Sequence, residues 1–509
     1  MTGTAPGLPV AAALGLITAA LEVYGDDPPA RSALVGYRTR LEEPLRVAIA
    51  GMVKAGKSTL LNAIIGEEIA PTDAGECTRV VTWYRHGITP RVTLHRRDGS
   101  SLPLPVTRGQ GRLVLDLAGT PAEDVDRLVV EWPSARLGSL TLIDTPGIAS
   151  VSGATSARSL DFLTPEDAPS QADAVVYLLR HLHAADLTFL EAFRDTGVGR
   201  SGTVNALAVL SRADEIGAGR IDALMSARNV AERYRRDGSL RALALGVQPV
   251  AGLLAQSART LRESEFSAFA QLAALDRDAR ERLLVSADRF VRPTDQVEVS
   301  PELRRSLLAR FGLFGIRLAC VLVRSGVPDS SALSAELTRH SGLDPLLRSL
   351  ADQFQARADQ LKARTALIGV ETLVREQPRA GAERLSAMLE RIQAGAHEFA
   401  ELRLLSEART AGIGLSRERA EEAERLIGGA GSAPAARVGL PEDAPAGEIE
   451  AAAVAALRRW RTLAENPLTA RAVAEVCRIV ARSCEGIIAG VRSGGPEPVL
   501  LAAPGATTP

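Results

Sequence analysis

The chain has 509 residues and a formal net charge of −1, with 46% hydrophobic and 24% charged residues. This length and composition leave room for two or three domains with a sizeable core. The balanced charge gives no overall field that would attract nucleic acid, and no RNA-binding pattern occurs, so an RNA- or ribosome-linked function is disfavoured. The four cysteines and the lack of a secretory signal predict a reduced, cytoplasmic protein.

The first 44 residues predict two short helices that lie outside the main domain. Residues 8–23 are apolar but lack a basic leader, and the Asp-Asp-Pro-Pro sequence at 26–29 separates them from the next helical stretch. The first strand starts only at Leu45, so these helices have no place in its core. We expect them to form a neck with residues 343–376 and with the last helix near Val476.

Residues 51–58 carry the sequence Gly-Met-Val-Lys-Ala-Gly-Lys-Ser, between an apolar strand and a helix. This strand–loop–helix context predicts a phosphate-binding loop, in which backbone N–H groups and the positive end of the helix hold an anion. Lys57 is expected to reach the β- and γ-phosphates, and the Ser58 hydroxyl to bind Mg²⁺. The nucleotide-binding residues predicted here are Gly51, Lys54, Ala55, Gly56, Lys57, Ser58 and Thr59.

The loop that follows the P-loop helix carries two threonines, Thr72 and Thr78. A threonine in this loop can close on Mg²⁺ and position the attacking water. We assign that role to Thr78 because it lies just before the strand predicted at 80–84. Thr72 is then an ordinary loop hydroxyl.

A further Mg²⁺ ligand is predicted after the apolar strand 140–143, where the sequence is Asp-Thr-Pro-Gly. Asp144 ends a strand that should lie beside the P-loop strand, so its carboxylate can hold Mg²⁺ through a water molecule. The N–H of Gly147 can contact the γ-phosphate and sense its loss. The predicted metal-binding residues are therefore Ser58, Thr78 and Asp144.

Base recognition is predicted at Ser211, Arg212 and Asp214, after the strand 206–210. The Asp214 carboxylate can accept hydrogen bonds from N1 and N2 of guanine, and adenine has no such pair of donors, so GTP is favoured over ATP. The usual GTPase pattern is Asn/Thr-Lys-x-Asp, from which Ser211 and Arg212 depart. Arg212 can still cover the base, but Ser211 offers fewer hydrogen bonds, so guanine selectivity is expected to be looser.

The remaining pattern divides the chain into regions. Strands alternate with helices up to about residue 340, with antiparallel additions near the Asp98-Gly99 turn. No run of about 20 uncharged apolar residues occurs, so no transmembrane helix is predicted. A helix over 380–426 would be roughly 70 Å long, which predicts a stalk. The predicted domains are 1–44, the N-terminal helices of the neck; 45–340, the GTPase domain; 341–493, the helical neck and stalk; and 494–509, a disordered tail.

These motifs together resemble those of the bacterial dynamin-like proteins. The resemblance is carried by residues 54–66, by the Pro-Thr…Thr switch at 71–78 and by Asp-Thr-Pro-Gly at 144–147. Residues 210–217 resemble the actinobacterial branch, which includes the isoniazid-inducible mycobacterial proteins. The resemblance implies an α/β P-loop GTPase domain with an extended, mostly parallel sheet, plus an α-helical neck and stalk bundle.

The same resemblance implies a large GTPase that hydrolyses GTP with Mg²⁺ and dimerises through its nucleotide face, with itself or with a paralogue. Such a protein would lie in the cytoplasm, peripherally on the inner face of the cell membrane, which it remodels or protects. The alternative is a soluble switch or scaffold GTPase whose stalk binds a protein partner. Residues 428–447, with Arg437, Val438 and Leu440, are expected to be the membrane or partner contact at the stalk tip, or else a flexible linker.

The catalytic candidates are Lys54, Lys57 and Thr78. Eukaryotic dynamins carry Gln-Ser at the positions of Val53 and Lys54, and valine cannot orient a water molecule. The related guanylate-binding proteins carry a catalytic arginine at the position of Lys54. Lys54 could therefore stabilise charge at the β–γ bridge when two nucleotide faces meet. The alternative, to which we give equal weight, is that Lys54 is a solvated cation in the loop.

Overall fold

In the computed structural model, the protein folds around one large β-sheet. The described residues are 8–72, 79–109, 112–147, 162–163, 170–193, 205–217, 219–295, 297–395, 397–410 and 412–492. The predicted disordered tail at 494–509 lies outside them.

Eleven strands occur in the described residues, and nine of them form one sheet in the order β11-β10-β9-β1-β8-β2-β7-β3-β4. β1 pairs in parallel with β8 and β9, and β10 pairs in parallel with β9 and β11, whereas β2–β8, β3–β7 and β3–β4 are antiparallel. The predicted antiparallel extension is confirmed. The strands are β1 Leu45–Gly51, β2 Thr82–His86, β3 Arg91–Arg96, β4 Ser101–Leu104, β5 Thr107–Gly109, β6 Arg112–Val114, β7 Val125–Trp132, β8 Leu140–Asp144, β9 Ala174–Leu179, β10 Ala206–Ser211 and β11 Val247–Val250.

The helices cover the sheet and form the C-terminal half of the chain. They are α1 Leu8–Tyr24, α2 Pro28–Glu42, α3 Lys57–Ile65, α4 Ala184–Phe193, α5 Ala223–Arg236, α6 Gly238–Arg241, α7 Gly252–Arg259, α8 Glu263–Ala274, α9 Arg277–Leu283, α10 Ala287–Val291, α11 Pro301–Arg324, α12 Ser330–Ser341, α13 Leu343–Gln353, α14 Ala358–Glu376, α15 Ala382–Gly395, α16 His397–Thr410, α17 Arg417–Leu426, α18 Pro434–Val438, α19 Ala446–Glu465 and α20 Arg471–Arg492. After Val250 the described residues contain no strand, so the predicted alternation of strands and helices ends earlier than residue 340.

The N-terminal helices are separated at the predicted position. Asp27 caps α2 by accepting a hydrogen bond from the Ala30 N–H at 3.3 Å. Both helices share a hydrophobic cluster with α14 and α15, which confirms one part of the predicted neck. The last helix is not part of this cluster, because Val480 and its neighbours pack in the main core instead. The predicted packing of α20 against the N-terminal helices is therefore wrong.

Helix α11 is long and apolar enough to cross a membrane by length and composition, with a mean hydropathy of 1.8 in its most apolar window. Half of that window is buried inside the protein. Phe311, Phe314 and Ile316 pack in a cluster with α7 and α8. Gly312, at φ 64°, interrupts the helix. These contacts are those of a helix packed in the protein core.

The predicted stalk helix over 380–426 is wrong, because the helical residues end at Thr410 of α16 and resume only at Arg417 of α17. Two glycines with positive φ, Gly412 and Gly414, lie in the break that follows α16. The stretch 343–376 is also divided, by a 3₁₀ turn at Gln355–Arg357. Helices α13, α16 and α17 fold back on the sheet, since one hydrophobic cluster runs from β1 through Leu343 to Cys484. α15 packs with the N-terminal helices instead.

The predicted contact loop at 428–447 is packed against the protein at Arg437, Val438 and Leu440, whereas residues 441–443 and 445–447 are exposed. It contains α18, and Arg437 donates to the Leu426 carbonyl at 2.7 Å and pairs with Glu401. Val438 and Leu440 are partly buried against the main core. Another exposed turn lies between α19 and α20, where the apolar side chain of Leu468 is 93% exposed.

Candidate nucleotide-binding site

The register between two neighbouring strands brings the P-loop serine and the predicted Mg²⁺ carboxylate together. Ile49 of β1 pairs with Asp144 of β8, so the P-loop that follows β1 starts beside the end of β8. The Ser58 hydroxyl donates to Asp144 Oδ2 at 2.7 Å. Burial raises the pKa of Asp144, although the charge of Lys57 and the hydrogen bond from Ser58 oppose that shift.

Lys57 occupies the centre of this site. Its side chain is buried, and Nζ donates to the Gly51 carbonyl at 3.2 Å and to the Met52 carbonyl at 3.3 Å. Burial lowers the pKa of Lys57, and the charge of Asp144 acts in the opposite direction. The two carbonyls hold the ammonium group beneath the loop, within reach of a bound phosphate group.

The P-loop backbone depends on residues with positive φ. Gly56, at φ 96°, precedes α3, and a side chain on Gly51 would meet the Leu178 carbonyl at 2.5 Å. Lys54 also has positive φ, at 63°, although it is not a glycine, and its side chain is exposed. This backbone turn allows N–H groups to point toward one anion.

Gly147 lies directly against the P-loop. A Cβ added there would come within 2.6 Å of Val53 Cγ2 and 2.9 Å of Val53 Cα. Only glycine permits this approach without a backbone shift. Nearby, Thr145 is buried and donates to the Ile49 carbonyl at 2.9 Å, which ties the start of this loop to β1. Thr78, the other predicted switch residue, lies outside the described residues.

A cavity of about 130 Å³ connects the P-loop with the predicted base-recognition residues. Asp214 is buried, and burial raises the pKa of its carboxyl group. Ser211 is also buried and donates to the Leu179 carbonyl at 3.2 Å. The cavity is lined by Ala55, Gly56, Thr59, Leu60, Leu178, Val209, Ser211, Arg212, Asp214, Glu215, Val250, Gly252 and Leu253.

Arg212 links the base-recognition segment to the P-loop. Its guanidinium group donates to the Lys54 carbonyl at 3.1 Å and to Glu215 at 2.6 Å. Glu215 also accepts from Arg180 at 2.8 Å. The planar guanidinium group of arginine can donate to two acceptors at once in a fixed geometry, whereas the ammonium group of lysine is a single flexible donor group and holds two acceptors less firmly.

Sequence reasoning missed Glu215 and Arg180. Each residue lies just beyond the carboxyl end of a strand, β10 or β9, and these ends converge in a parallel sheet. That convergence was a usable signal, but charged residues at strand ends are common, and the sequence alone does not show which of them meet.

The oxygen atoms at Ser58 and Asp144 suit a hard cation. Mg²⁺ prefers oxygen ligands and is usually held by one or two protein groups together with substrate phosphates. Among the described residues no group of three or more His, Cys, Asp or Glu side chains could hold a metal ion by itself. A bound nucleotide would therefore have to complete the coordination.

Comparison with known proteins agrees with this geometry. The family model described as "Dynamin family" matches residues 47–191, which contain the P-loop and the Asp144 segment. The isoniazid-induced protein IniC of Mycobacterium tuberculosis is 45% identical over 451 residues, which is 88% of this chain and 91% of that protein. This chain belongs to the dynamin family.

More distant relatives match a smaller part of the chain. The isoniazid-induced protein IniA of Mycobacterium tuberculosis is 31% identical over 145 residues, covering 26% of this chain and 22% of that protein. The bacterial dynamin-like protein of Nostoc punctiforme is 36% identical over 118 residues, covering 20% and 16%. The predicted resemblance to dynamin-like GTPases and the predicted fold class, a P-loop GTPase domain with a large helical region, are confirmed.

Proposed function

We propose that this dynamin-family chain binds GTP with Mg²⁺ and hydrolyses it. The observation that carries the proposal is the single cavity that joins the P-loop to Asp214. At one end, a phosphate group would meet Lys57 and the backbone N–H groups of the loop. At the other end, guanine would meet a buried carboxylate, whose remaining acceptor capacity matches the N1 and N2 donors of the base.

Each residue of the phosphate and Mg²⁺ site has a separate role that follows from its chemistry. Lys57 would turn from the Gly51 and Met52 carbonyls to the phosphates and offset their charge. Ser58 and Asp144 would hold Mg²⁺, which supplies positive charge to the phosphate oxygens during hydrolysis. Gly147 would sense the γ-phosphate through its N–H group, because it lies directly against Val53 of the P-loop.

Exchanging Asp214 for asparagine tests the role of the buried carboxylate. The asparagine side chain offers one acceptor and one donor group in place of two acceptors, which fits xanthine, with its N1–H donor and O2 acceptor, better than guanine. Asp214→Asn should therefore bind GTP more weakly, by about tenfold or more, and XTP more tightly. Lys57→Ala serves as the control, because it should weaken both nucleotides. If calorimetry gave Asp214→Asn an unchanged preference for GTP, base recognition would lie elsewhere.

We further propose that two copies, or this chain and a paralogue, meet through their nucleotide faces and that Lys54 then acts on the phosphates. Lys54 is exposed at this face, and its carbonyl is held by Arg212. Contact with a second copy would exclude water and strengthen the effect of the lysine charge on the β–γ bridge. In a monomer the same side chain would stay solvated and contribute little.

This proposal predicts a GTPase rate that rises with protein concentration. Lys54→Ala should keep GTP affinity but lose that rise, while Arg277→Ala, an exposed cation paired with Glu281 away from the site, should retain it. The assay is phosphate release at several protein concentrations and saturating GTP. A Lys54→Ala variant with the full rise would leave Lys54 as a solvated loop cation.

We also propose a cytoplasmic protein that associates peripherally with the membrane and remodels or protects it. The exposed turn between α19 and α20 supports a contact there, because Leu468 is 93% exposed beside Pro467. Liposome flotation with and without a non-hydrolysable GTP analogue tests this. Leu468→Ser should reduce flotation, and Ile88→Ser, at an equally exposed position in the β2–β3 connection, should not. If the wild-type chain did not float in either state, the alternative of a soluble switch or scaffold GTPase would replace the membrane function.

A further inference from the structure

A second cavity lies between the GTPase sheet and the helical region that folds back on it. Its volume is about 180 Å³, far larger than the ~10–15 Å³ that holds one water molecule. One wall is formed by the residues that lead into β11, including Arg235 and Arg241, and the other by Arg409 of α16 and Glu424 of α17. None of these residues belongs to the nucleotide site.

Three guanidinium groups and only one carboxylate line this cavity. Arg409 is nearly buried, with its side chain 5% exposed, and it donates to Glu424 at 2.8 Å and to the Ala244 carbonyl at 2.9 Å. Arg241 reaches the same Glu424 at 2.5 Å from the opposite wall. One carboxylate therefore serves two arginines, so neither charge is fully compensated.

The positive surplus remains when the surrounding ion pairs are included. Arg235 pairs with Glu232, which Arg236 shares, and Glu421 near Arg241 is paired with Arg417. This gives five arginines and three glutamates, namely Arg235, Arg236, Arg241, Arg409 and Arg417 against Glu232, Glu421 and Glu424. Arg236 and Arg417 are largely solvated, so the surplus that matters is the one that lines the cavity. In a partly buried cavity that surplus is costly unless an anion offsets it.

We infer that this cavity binds a small phosphate-type anion, either inorganic phosphate or a phosphate monoester. Guanidinium groups recognise such anions through paired N–H donors. Arg241 is well placed for this role, because it lines the cavity, its side chain is 41% exposed, and its carboxylate partner Glu424 is shared with Arg409. A dianion between Arg241 and Arg409 would hold the two walls together.

The position of the cavity, between β11 and the helical region, determines how a bound anion would affect the fold. β11 pairs in parallel with β10, which ends at Ser211, and Val250 at the far end of β11 lines the nucleotide cavity. The opposite wall belongs to the helical region. An anion bound here would stabilise the folded-back arrangement of that region on the GTPase domain.

The test uses the full-length chain with Lys57→Ala as background, which removes phosphate binding by the P-loop. Inorganic phosphate and glycerol 3-phosphate are titrated separately by calorimetry at constant ionic strength and without nucleotide. Saturable binding of either anion at one site is expected, and the two titrations show whether a free phosphate or a phosphate ester fits better. Binding of neither anion would overturn the inference, and would leave the proposed GTPase function untouched.

Three further substitutions separate anion binding from a purely structural role. Arg241→Gln should weaken binding about tenfold or more, because it removes a charge-assisted contact. Arg417→Gln, a 90% exposed arginine outside the cavity, is the matched control and should stay within about twofold. Glu424→Gln should instead tighten binding, because it removes the competing carboxylate. Equal affinities for Arg241→Gln and Arg417→Gln, or weaker binding by Glu424→Gln, would refute the site.

Discussion

The buried ion pair between Arg40 and Asp173 should control how firmly α2 is attached to the GTPase domain. Arg40 donates to Asp173 at 2.9 Å and to the Ser170 carbonyl at 2.6 Å, and the Asp173 side chain is 0% exposed. Asp173 also accepts from the Arg46 N–H at 2.9 Å and from Thr365 of α14 at 3.3 Å. Three segments therefore meet at one carboxylate.

Arg40→Leu would leave this carboxylate buried without its charged partner. Breaking a buried pair from one side costs about 3–5 kcal/mol. We expect the lower end, about 3 kcal/mol, because Asp173 keeps the Arg46 N–H and Thr365 as donors and Lys362 still donates to the Leu41 carbonyl at 2.8 Å. Local opening of α2 should therefore become more frequent by roughly a hundredfold.

Hydrogen exchange measured by mass spectrometry on peptides from residues 28–42 is the assay. Arg38→Leu, an exposed arginine on the same helix, is the control and should change exchange little. Adding Asp173→Asn to Arg40→Leu should recover part of the protection, because it removes the uncompensated charge. The reasoning fails if the amide hydrogens of residues 28–42 exchange at rates within about threefold of each other in the Arg40→Leu and Arg38→Leu variants.

Other predictions concern single groups. Burial raises the pKa of Asp144, so the folded state disfavours the charged carboxylate. Without nucleotide, Asp144→Asn should melt at a higher temperature than the wild type, and this difference should grow as the pH rises above 3.8. A difference that does not change with pH would contradict this. Burial tends to raise the pKa of Glu401, but its hydrogen bonds and the charge of Arg437 outweigh burial and lower it to about 2. Glu401→Gln should therefore lose about 3 kcal/mol in urea unfolding at pH 7, and the loss should shrink as pH falls from 4.5 toward 2; a constant loss would argue against the charge. Val438→Ser with Leu440→Ser should lower stability by about 1 kcal/mol or more and leave liposome flotation intact, whereas reduced flotation with unchanged stability would restore the loop as a contact. Arg212→Lys should release labelled GTP several-fold faster in stopped-flow measurements, and an unchanged rate would show that the Lys54 and Glu215 contacts do not affect the nucleotide.

The positions of the motif residues could be predicted because the motifs are local. A glycine-rich turn between a strand and a helix produces the same backbone wherever it occurs, so Lys57 and Ser58 were predictable from residues 51–58 alone. Parallel strands then bring their carboxyl ends to one edge, which placed Asp144 and Asp214 near the P-loop. The break between α1 and α2 followed in the same way from two prolines and a capping aspartate.

The arrangement of the C-terminal helices could not be predicted in this way. Residues 380–426 have a nearly continuous helical pattern, and the predicted stalk assumed that the pattern meant one straight helix. The structure instead interrupts the helical pattern at residues 412–416 and packs α16 and α17 in the cluster that they share with the sheet. Burying apolar surface against a distant part of the chain outweighs the small gain from continuing an exposed helix.

The sequence by itself determined the local phosphate-binding and base-recognition segments, because their geometry depends on neighbouring residues. Only the tertiary structure decided which charged groups meet across the fold, such as Arg212 with Glu215 and Arg180, or Arg241 and Arg409 with Glu424. Arg241 and Glu424 are 183 residues apart in the chain. Ion pairs over such separations depend on how helices dock on the sheet. That docking is set by hydrophobic burial, which acts without direction, so the local apolar pattern does not show which distant surface a helix will meet.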